Sequence, residues 1–195
     1  MKVELEKTFA LPGSADIAWE FLQNIEAVAG CMPGAKITER LPDGSYKGTV
    51  TVKIGPATLS FRGEVTVRDV DPATRSLKLL GRGTDSTGTS GASMDLAARI
   101  ETVGADSSKL MGKSEVSMSG KAAAFGGRMM NSVADQVLKQ FADNFAAQVG
   151  ALAAQRGASA SPPPLPSVPD DLDGLALMWT VFKDWLRGLF RRKTA

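Results

Sequence analysis

The fold class is decided by residues 46–67, which read YKGTVTVKIGPATLSFRGEVTV. On both sides of the Gly55-Pro56 turn, apolar or small residues alternate with polar ones, as in a strand with one buried and one wet face. This period of two extends from Ala35 to Ser119, and Asp43-Gly44 within it is a hairpin signal. The pattern predicts an antiparallel meander of about six strands.

Helical signals flank the meander. Residues 2–11 alternate as a first strand, Ser14 is placed to cap a helix that contains Trp19, and a short second helix is expected over Ile25 to Val28. A long helix is predicted from Lys121 to Ala154. Its apolar stripe is Met130, Val133, Val137, Phe141, Phe145, Val149 and Leu152. The sequence therefore predicts an α+β fold, in which a curved antiparallel sheet wraps a long C-terminal helix, over residues 1–154.

A cavity between sheet and helix is one reading of the inward-facing residues. The predicted ligand-binding residues are Phe61, Met94, Met118, Phe125, Met129, Met130, Val133, Val137 and Phe141. Methionine is flexible and polarizable, so a lining rich in it adapts to a long apolar chain. Periodicity alone favours a filled core over a pocket. Gly126-Gly127 suits a portal, a kink or close packing on the sheet equally well.

Composition excludes several classes of function. The chain has no histidine and one cysteine, Cys31, so the common zinc sites, histidine-based nucleophile systems and an intrachain disulfide are excluded. Cys31 is expected to be a small buried hydrophobe, and Asp69, Asp71 and Asp85 are expected to be turn residues rather than metal ligands. The glycine-rich residues 81–91 have strands on both sides and are predicted to form a flexible hairpin tip, not a phosphate loop. No apolar run resembles a signal peptide or a membrane span, which predicts a cytoplasmic body.

The C-terminal region differs in composition from the body. Residues 155–171 are rich in Pro, Ser and Ala and predict an extended linker. Residues 172–195, with five Lys and Arg against two Asp, predict a separate amphipathic helix lying on the inner face of the cell membrane. The predicted membrane-binding residues are Leu175, Met178, Trp179, Phe182, Lys183, Trp185, Leu186, Arg187, Leu189, Phe190, Arg191, Arg192 and Lys193. Packing on the body or on a partner protein is the alternative, and nucleic acid is not an expected partner.

Several short stretches together resemble one family. They are Trp19 in the first helix, residues 31–34 (CMPG), residues 52–56 (VKIGP) with the following Phe61-Arg62-Gly63, and residues 125–128 (FGGR) at the start of the long helix. In this combination the chain resembles the CoxG family of carbon monoxide dehydrogenase subunits, which belongs to the START-like (SRPBCC) helix-grip superfamily. Asn24 stands where the family usually has an aspartate, a position with no catalytic role attached.

The resemblance implies an apolar pocket and a link to molybdenum hydroxylases of the carbon monoxide dehydrogenase type. It also implies recruitment of that enzyme to the membrane. The implied ligand is an isoprenoid quinone, menaquinone or ubiquinone, or another lipid, with no covalent cofactor. The leading hypothesis is a non-catalytic, membrane-tethered quinone carrier that serves the dehydrogenase. The alternatives are a recruitment or assembly factor that transports no ligand, and a cyclase- or aromatase-like enzyme that uses Tyr46, Arg62 or Glu64.

Overall fold

The computed structural model describes residues 1–54 and 57–160, with side chains to residue 157. Residues Met1–Ala158 form one compact unit. Its helices are α1 (Ala15–Gln23), α2 (Ile25–Cys31) and α3 (Gly127–Ala160), and a 3-10 turn covers Lys121–Phe125. Its strands are β1 (Lys2–Pro12), β2 (Ala35–Arg40), β3 (Tyr46–Ile54), β4 (Ala57–Asp71), β5 (Ser76–Asp85), β6 (Ser90–Gly104) and β7 (Ser107–Gly120).

The strands form a single antiparallel sheet in the order β1-β7-β6-β5-β4-β3-β2. Strands β2 to β7 are a meander in which each pairs with the next along the chain, and β1 closes the row by pairing with β7. The α+β class, the meander and the long C-terminal helix are therefore confirmed.

Side-chain caps define the two short helices. The Ser14 hydroxyl accepts a hydrogen bond from the Ile17 N–H, as expected of an N-cap. Asn24 separates α1 from α2, and its side-chain oxygen caps the second helix. Helix α2 continues to Cys31 rather than ending at Val28, because the chain-breaking Pro33-Gly34 lies just beyond Cys31.

One end of the sheet packs against the helices as a dense core, the core end. It comprises Leu11, Ala15, Ala18, Trp19, Phe21, Leu22, Cys31, Leu77, Ala98, Ile100, Leu110, Phe145 and Val149. Phe145 is fully buried at its centre, and its ring meets the Phe21 ring edge-on with centroids 4.9 Å apart. Each such aromatic contact stabilises by about 1 kcal/mol beyond the area buried.

The long helix starts later than predicted. Residues Lys121–Phe125 form the 3-10 turn, and α3 begins at Gly127. Gly120 and Gly126, at the two ends of that turn, have φ of 67° and 78°, values that interrupt a right-handed helix. A Cβ at Gly120 would lie 1.9 Å from the Thr89 carbonyl oxygen, so only glycine fits there. At the other end α3 continues past the predicted Ala154 to Ala160.

The glycine-rich residues 81–91 belong to a hairpin, as predicted, but only part of them forms its tip. Gly81 and Gly83 belong to β5 and Gly91 to β6, so only residues 86–89 connect the two strands. A Cβ at Gly83 would lie 3.0 Å from the Arg62 carbonyl oxygen. The glycine there allows close approach of two strands rather than loop freedom.

The predicted Gly55-Pro56 turn, most of the predicted linker and the whole predicted amphipathic helix, with all of its predicted membrane-binding residues, lie outside the described residues. Within the described residues, no helix combines the length and apolar character needed to cross a bilayer.

Candidate functional site: an apolar cleft on the inner face of the sheet

The strand register assigns the side chains to two faces of the sheet. Leu77, Ile100 and Leu110 pack into the core with the helices, so the face that carries them is the inner face. Directly paired residues of antiparallel strands share a face, and every second residue along a strand returns to it. This rule places Met94 on the inner face, in a row with Gly81 on β5 and Val116 on β7.

Beyond the core end, the inner face is apolar but incompletely covered. The large apolar inner-face residues outside the core include Val3, Leu5, Val50, Val52, Leu59, Phe61, Val65, Val67, Met94, Leu96, Val116 and Met118, and each keeps part of its surface accessible. None of these twelve side chains packs against the core cluster. We call this uncovered surface, together with the facing first half of α3, the cleft.

Helix α3 is divided in the same way. Phe145 and Val149, in its second half, are fully buried. Val133 and Val137, in its first half and on the same apolar stripe, remain partly accessible. The helix thus seals the core end and leaves apolar surface exposed over the cleft.

The structure brings most of the predicted ligand-binding residues to the cleft. Phe61, Met94 and Met118 lie on its floor, Val133 and Val137 on the facing half of α3, and Phe125 just before that half. The other three differ in exposure or contacts. Met130 is buried, with 7% of its surface exposed, whereas Met129 is 44% exposed because neighbouring residues of a helix point about 100° apart. Phe141 packs on the core, with its ring centroid 5.7 Å from that of Phe145.

Two glycines of the cleft floor were not identified from the sequence. Gly81 and Gly112 have ordinary backbone angles. A Cβ at Gly81 would meet Met94 at 3.5 Å, and one at Gly112 would meet Leu96 at 3.8 Å, both normal contact distances. Neither the backbone nor the packing therefore requires glycine, and what the two glycines provide is depth in the floor.

A polar group at the edge of the cleft was also missed. Lys7 occupies an inner-face position of β1, between Leu5 and Phe9, and its ammonium lies 2.9 Å from the Asp135 carboxylate on α3. Ser114, the next inner-face residue of β7 after Gly112, is diagonal to Lys7. The available signal was a lysine at an apolar position of the period-two pattern.

The outer face carries a separate depression of about 1060 Å³, whose lining includes the charged residues Lys47, Arg62, Glu64 and Arg82 and consists otherwise mostly of serine, threonine and glycine. Among the predicted ligand-binding residues only Met118 borders it. Tyr46 lies on the opposite, inner face, where it is buried beneath the Arg40 guanidinium. The structure therefore separates Tyr46 from Arg62 and Glu64, the other two acid-base candidates of the enzyme alternative.

Buried polar groups in the described part serve the fold. Asp85 accepts hydrogen bonds from the Thr87 hydroxyl and from the Ser90 N–H, and these bonds, the Thr87 bond foremost, hold its pKa below the usual range. Cys31 is buried, and desolvation raises the pKa of its thiol. Across residues 1–54 and 57–160 no group of three or more carboxylates or thiols is arranged to hold a metal ion. The predicted turn role of Asp85 and the buried state of Cys31 are confirmed.

Solved structures share this architecture and define the class as a START-like helix-grip fold. A conserved protein from Geobacillus kaustophilus superposes with a TM-score of 0.68 at 19% identity, over 76% of this chain and 96% of that one. A START superfamily protein from Mycobacterium smegmatis gives 0.52 at 21% identity, over 76% and 98%. The ZhuI aromatase/cyclase from Streptomyces sp. R1128 gives 0.55 at 18% identity, over 76% and 94%. At these identities the likeness shows the fold alone.

The family follows from the sequence match. The model of the CoxG family of carbon monoxide dehydrogenase subunits matches residues 8–150, and the chain belongs to that family. The resemblance noted from the short stretches is confirmed. No curated protein matches the chain.

Proposed function

We propose that this protein is a non-catalytic carrier of an apolar ligand, an isoprenoid quinone, between the membrane and a cytoplasmic dehydrogenase of the molybdenum carbon monoxide dehydrogenase type. The observation that carries the proposal is the cleft, where one layer of the fold leaves a continuous row of Val, Leu, Met and Phe side chains partly uncovered. Exposed apolar surface of this kind is costly in water and marks a binding site.

The identity of the partners rests on the family. The family name associates its members with carbon monoxide dehydrogenase, a redox enzyme whose electrons need an acceptor. A quinone has an apolar chain long enough to follow the cleft, and it resides in the bilayer, so a soluble enzyme needs help to reach it. A mobile protein that shields the chain from water would provide that help.

Residues 172–195 are proposed to hold the carrier at the inner face of the membrane. Large apolar residues at helical spacing opposite Lys and Arg favour binding at an anionic lipid surface. Each cation near such a surface contributes on the order of 1 kcal/mol. The proline-rich linker before this segment would give the body reach toward its partner.

Organic extraction tests the ligand. The full chain is incubated with vesicles that contain quinone, separated from them, extracted and analysed by mass spectrometry. We expect about one quinone per chain, and a sharp loss in a variant with Met94→Glu and Val116→Glu, which places charge in the cleft. A variant with Ser93→Glu and Ser117→Glu, whose changes lie on the outer face of the same strands, is the matched control. Recovery of no apolar molecule would leave recruitment of the dehydrogenase without transport as the function.

Sedimentation with anionic liposomes tests the tail. The full chain should sediment and the chain ending at Pro169 should stay in solution. A full-length variant with Trp179, Phe182 and Leu186 changed to Ser keeps the length and charge, and it should also lose binding. Equal sedimentation of all three proteins would show that the C-terminal segment does not bind lipid.

A further inference from the structure

A single charged side chain breaks the apolar inner face of β1. The inner-face positions of this strand are Val3, Leu5, Lys7, Phe9 and Leu11, and only Lys7 is polar. A charge among apolar groups is unfavourable unless it is paired or solvated. Lys7 has both kinds of compensation, because its ammonium contacts Asp135 at 2.9 Å and 41% of its side chain is exposed.

The surroundings of Lys7 leave room beside it. Its direct cross-strand partner is Gly112, which places no side chain next to the lysine stem. Since a Cβ at Gly112 would make only an ordinary 3.8 Å contact with Leu96, packing does not explain this glycine. The position opposite Lys7, the one charged residue on the inner face of β1, is therefore open.

Ser114 adds a second polar group at the same place. It lies on the inner face of β7, directly opposite Leu5 and diagonal to Lys7, so its hydroxyl and the Lys7 ammonium belong to neighbouring positions. Elsewhere on the inner face the buried polar side chains have partners: Ser108 donates to the Gly13 carbonyl oxygen and Ser90 accepts from the Ala122 N–H.

The row of paired residues that holds Lys7 continues through Gly112 and Ala98 to Leu77. Ala98 and Leu77 are buried in the core, so this row marks the place where the floor of the cleft meets the core. The row that holds Ser114 continues through Leu96 to Leu79. The two polar groups therefore lie where the cleft ends against the core end, at the edge formed by β1. A molecule lying along the cleft would place one terminus there.

We propose that Lys7 and Ser114 bind the oxygen atoms at the polar end of the ligand, and that Asp135 positions the Lys7 ammonium for this role. The ammonium has three N–H donors, of which the contact with Asp135 occupies one, and the serine hydroxyl is a further donor. Such a pair selects an apolar molecule with oxygen acceptors at one end over a plain hydrocarbon. This inference rests on the proposed function, because it assigns the polar terminus of the same cleft.

Two probes of equal chain length separate anchoring from simple apolar binding: a benzoquinone with a ten-carbon chain and decylbenzene. Binding to the full chain is measured by quenching of tryptophan fluorescence or by calorimetry. Lys7→Met keeps an unbranched side chain of similar length and removes the charge. We expect it to weaken quinone binding about tenfold, as for loss of a hydrogen bond from a charged group, and to leave decylbenzene binding unchanged. Ser114→Ala should weaken quinone binding by a smaller factor, and Asp135→Asn should fall between the two.

Lys113→Met, on the outer face of β7, is the matched control and should change neither affinity. Decanoate is a third probe: if it binds more tightly than the quinone and Lys7→Met abolishes that preference, the anchor is upheld and the oxygen group is a carboxylate. An equal loss for quinone and decylbenzene, or no loss for either, would overturn the anchor while leaving the carrier function intact. Failure of the unchanged protein to bind any of the probes would overturn both.

Discussion

The division of α3 into a sealing half and a cleft half predicts different effects for one substitution at two sites. Val149 and Val137 lie on the same apolar stripe, and Val149 is fully buried whereas Val137 is partly accessible. Val→Ala removes the equivalent of two methylene groups, about 0.8 kcal/mol each when fully buried. A cavity term is added at Val149, because this side chain is fully buried within the core cluster.

We therefore expect Val149→Ala to lower the free energy of unfolding by about 2 to 3 kcal/mol, which for a body of this size lowers Tm by roughly 4 to 12 °C. Val137→Ala leaves no closed cavity, since water or ligand fills the space, and should cost less than about 1 kcal/mol. The gain in helix propensity from alanine applies at both sites and cancels in the comparison.

The measurement is urea unfolding of both variants without ligand, followed by repetition with saturating ligand. Ligand should stabilise the unchanged protein more than Val137→Ala, because the stabilisation grows with the logarithm of the ligand concentration divided by Kd, and loss of apolar contact at residue 137 raises Kd. Losses for the two variants that agree within about 0.5 kcal/mol would refute the reasoning, since the first half of α3 would then be packed as tightly as the second.

Three further outcomes follow from the described contacts. Gly81→Leu should reduce ligand binding at least tenfold by filling the cleft floor while the protein stays folded, whereas Ala97→Leu, which points outward from β6, should change binding little in the same assay. Asp85→Asn should raise amide hydrogen exchange in the β5-β6 connection at pH 7, because it weakens the bond to the Ser90 N–H. The folded-state pKa of Asp85 is lowered, so the stabilising effect of its carboxylate is present above the unfolded-state pKa and is lost as pH falls through the folded-state pKa. The exchange rates of the variant and of the unchanged protein should therefore converge in acid. Cys31 should react slowly with iodoacetamide in the folded protein and rapidly in urea, because burial raises the pKa of its thiol; rapid reaction without denaturant would contradict the buried assignment.

The strand pattern could be predicted from the sequence because one physical constraint dominates it. Each strand from β2 to β7 has one face toward the helices and one toward water, so the apolar residues recur at every second position. The apolar stripe of α3 could be predicted equally well, since Phe145 and Val149 follow helical spacing. These regularities fix the class and the layers.

The start of α3 could not be read in this way. Residues 121–125, KAAAF, have good helix propensity, and nothing in them signals a 3-10 turn. The break comes from the left-handed backbone of Gly120 and Gly126 and from the Ser90 hydroxyl that accepts the Ala122 N–H, which is a contact between distant parts of the chain. Tertiary structure overrides local preference at this point.

The boundary between core and cleft is also invisible to periodicity. Val137 and Val149 fit the apolar stripe of α3 equally well, and Met94 and Ala98 lie on the same face of β6. Of these four residues, only Val149 and Ala98 are buried. A period reports which face a residue occupies, and coverage of that face depends on how far the opposite layer stands away. The role of Lys7 could not be predicted for a related reason, since Asp135, the residue with which it forms an ion pair, is remote in sequence.

The same boundary explains how the fold can keep apolar surface uncovered. Helices α1 and α2 and the second half of α3 bury Leu, Phe and Trp side chains against the sheet at the core end, and this burial stabilises the fold. The first half of α3 buries Met130 but leaves Val133 and Val137 partly accessible to a guest molecule. Ligand binding in such a protein requires no unfolding of the core, and substitutions in the cleft change affinity before they change the fold.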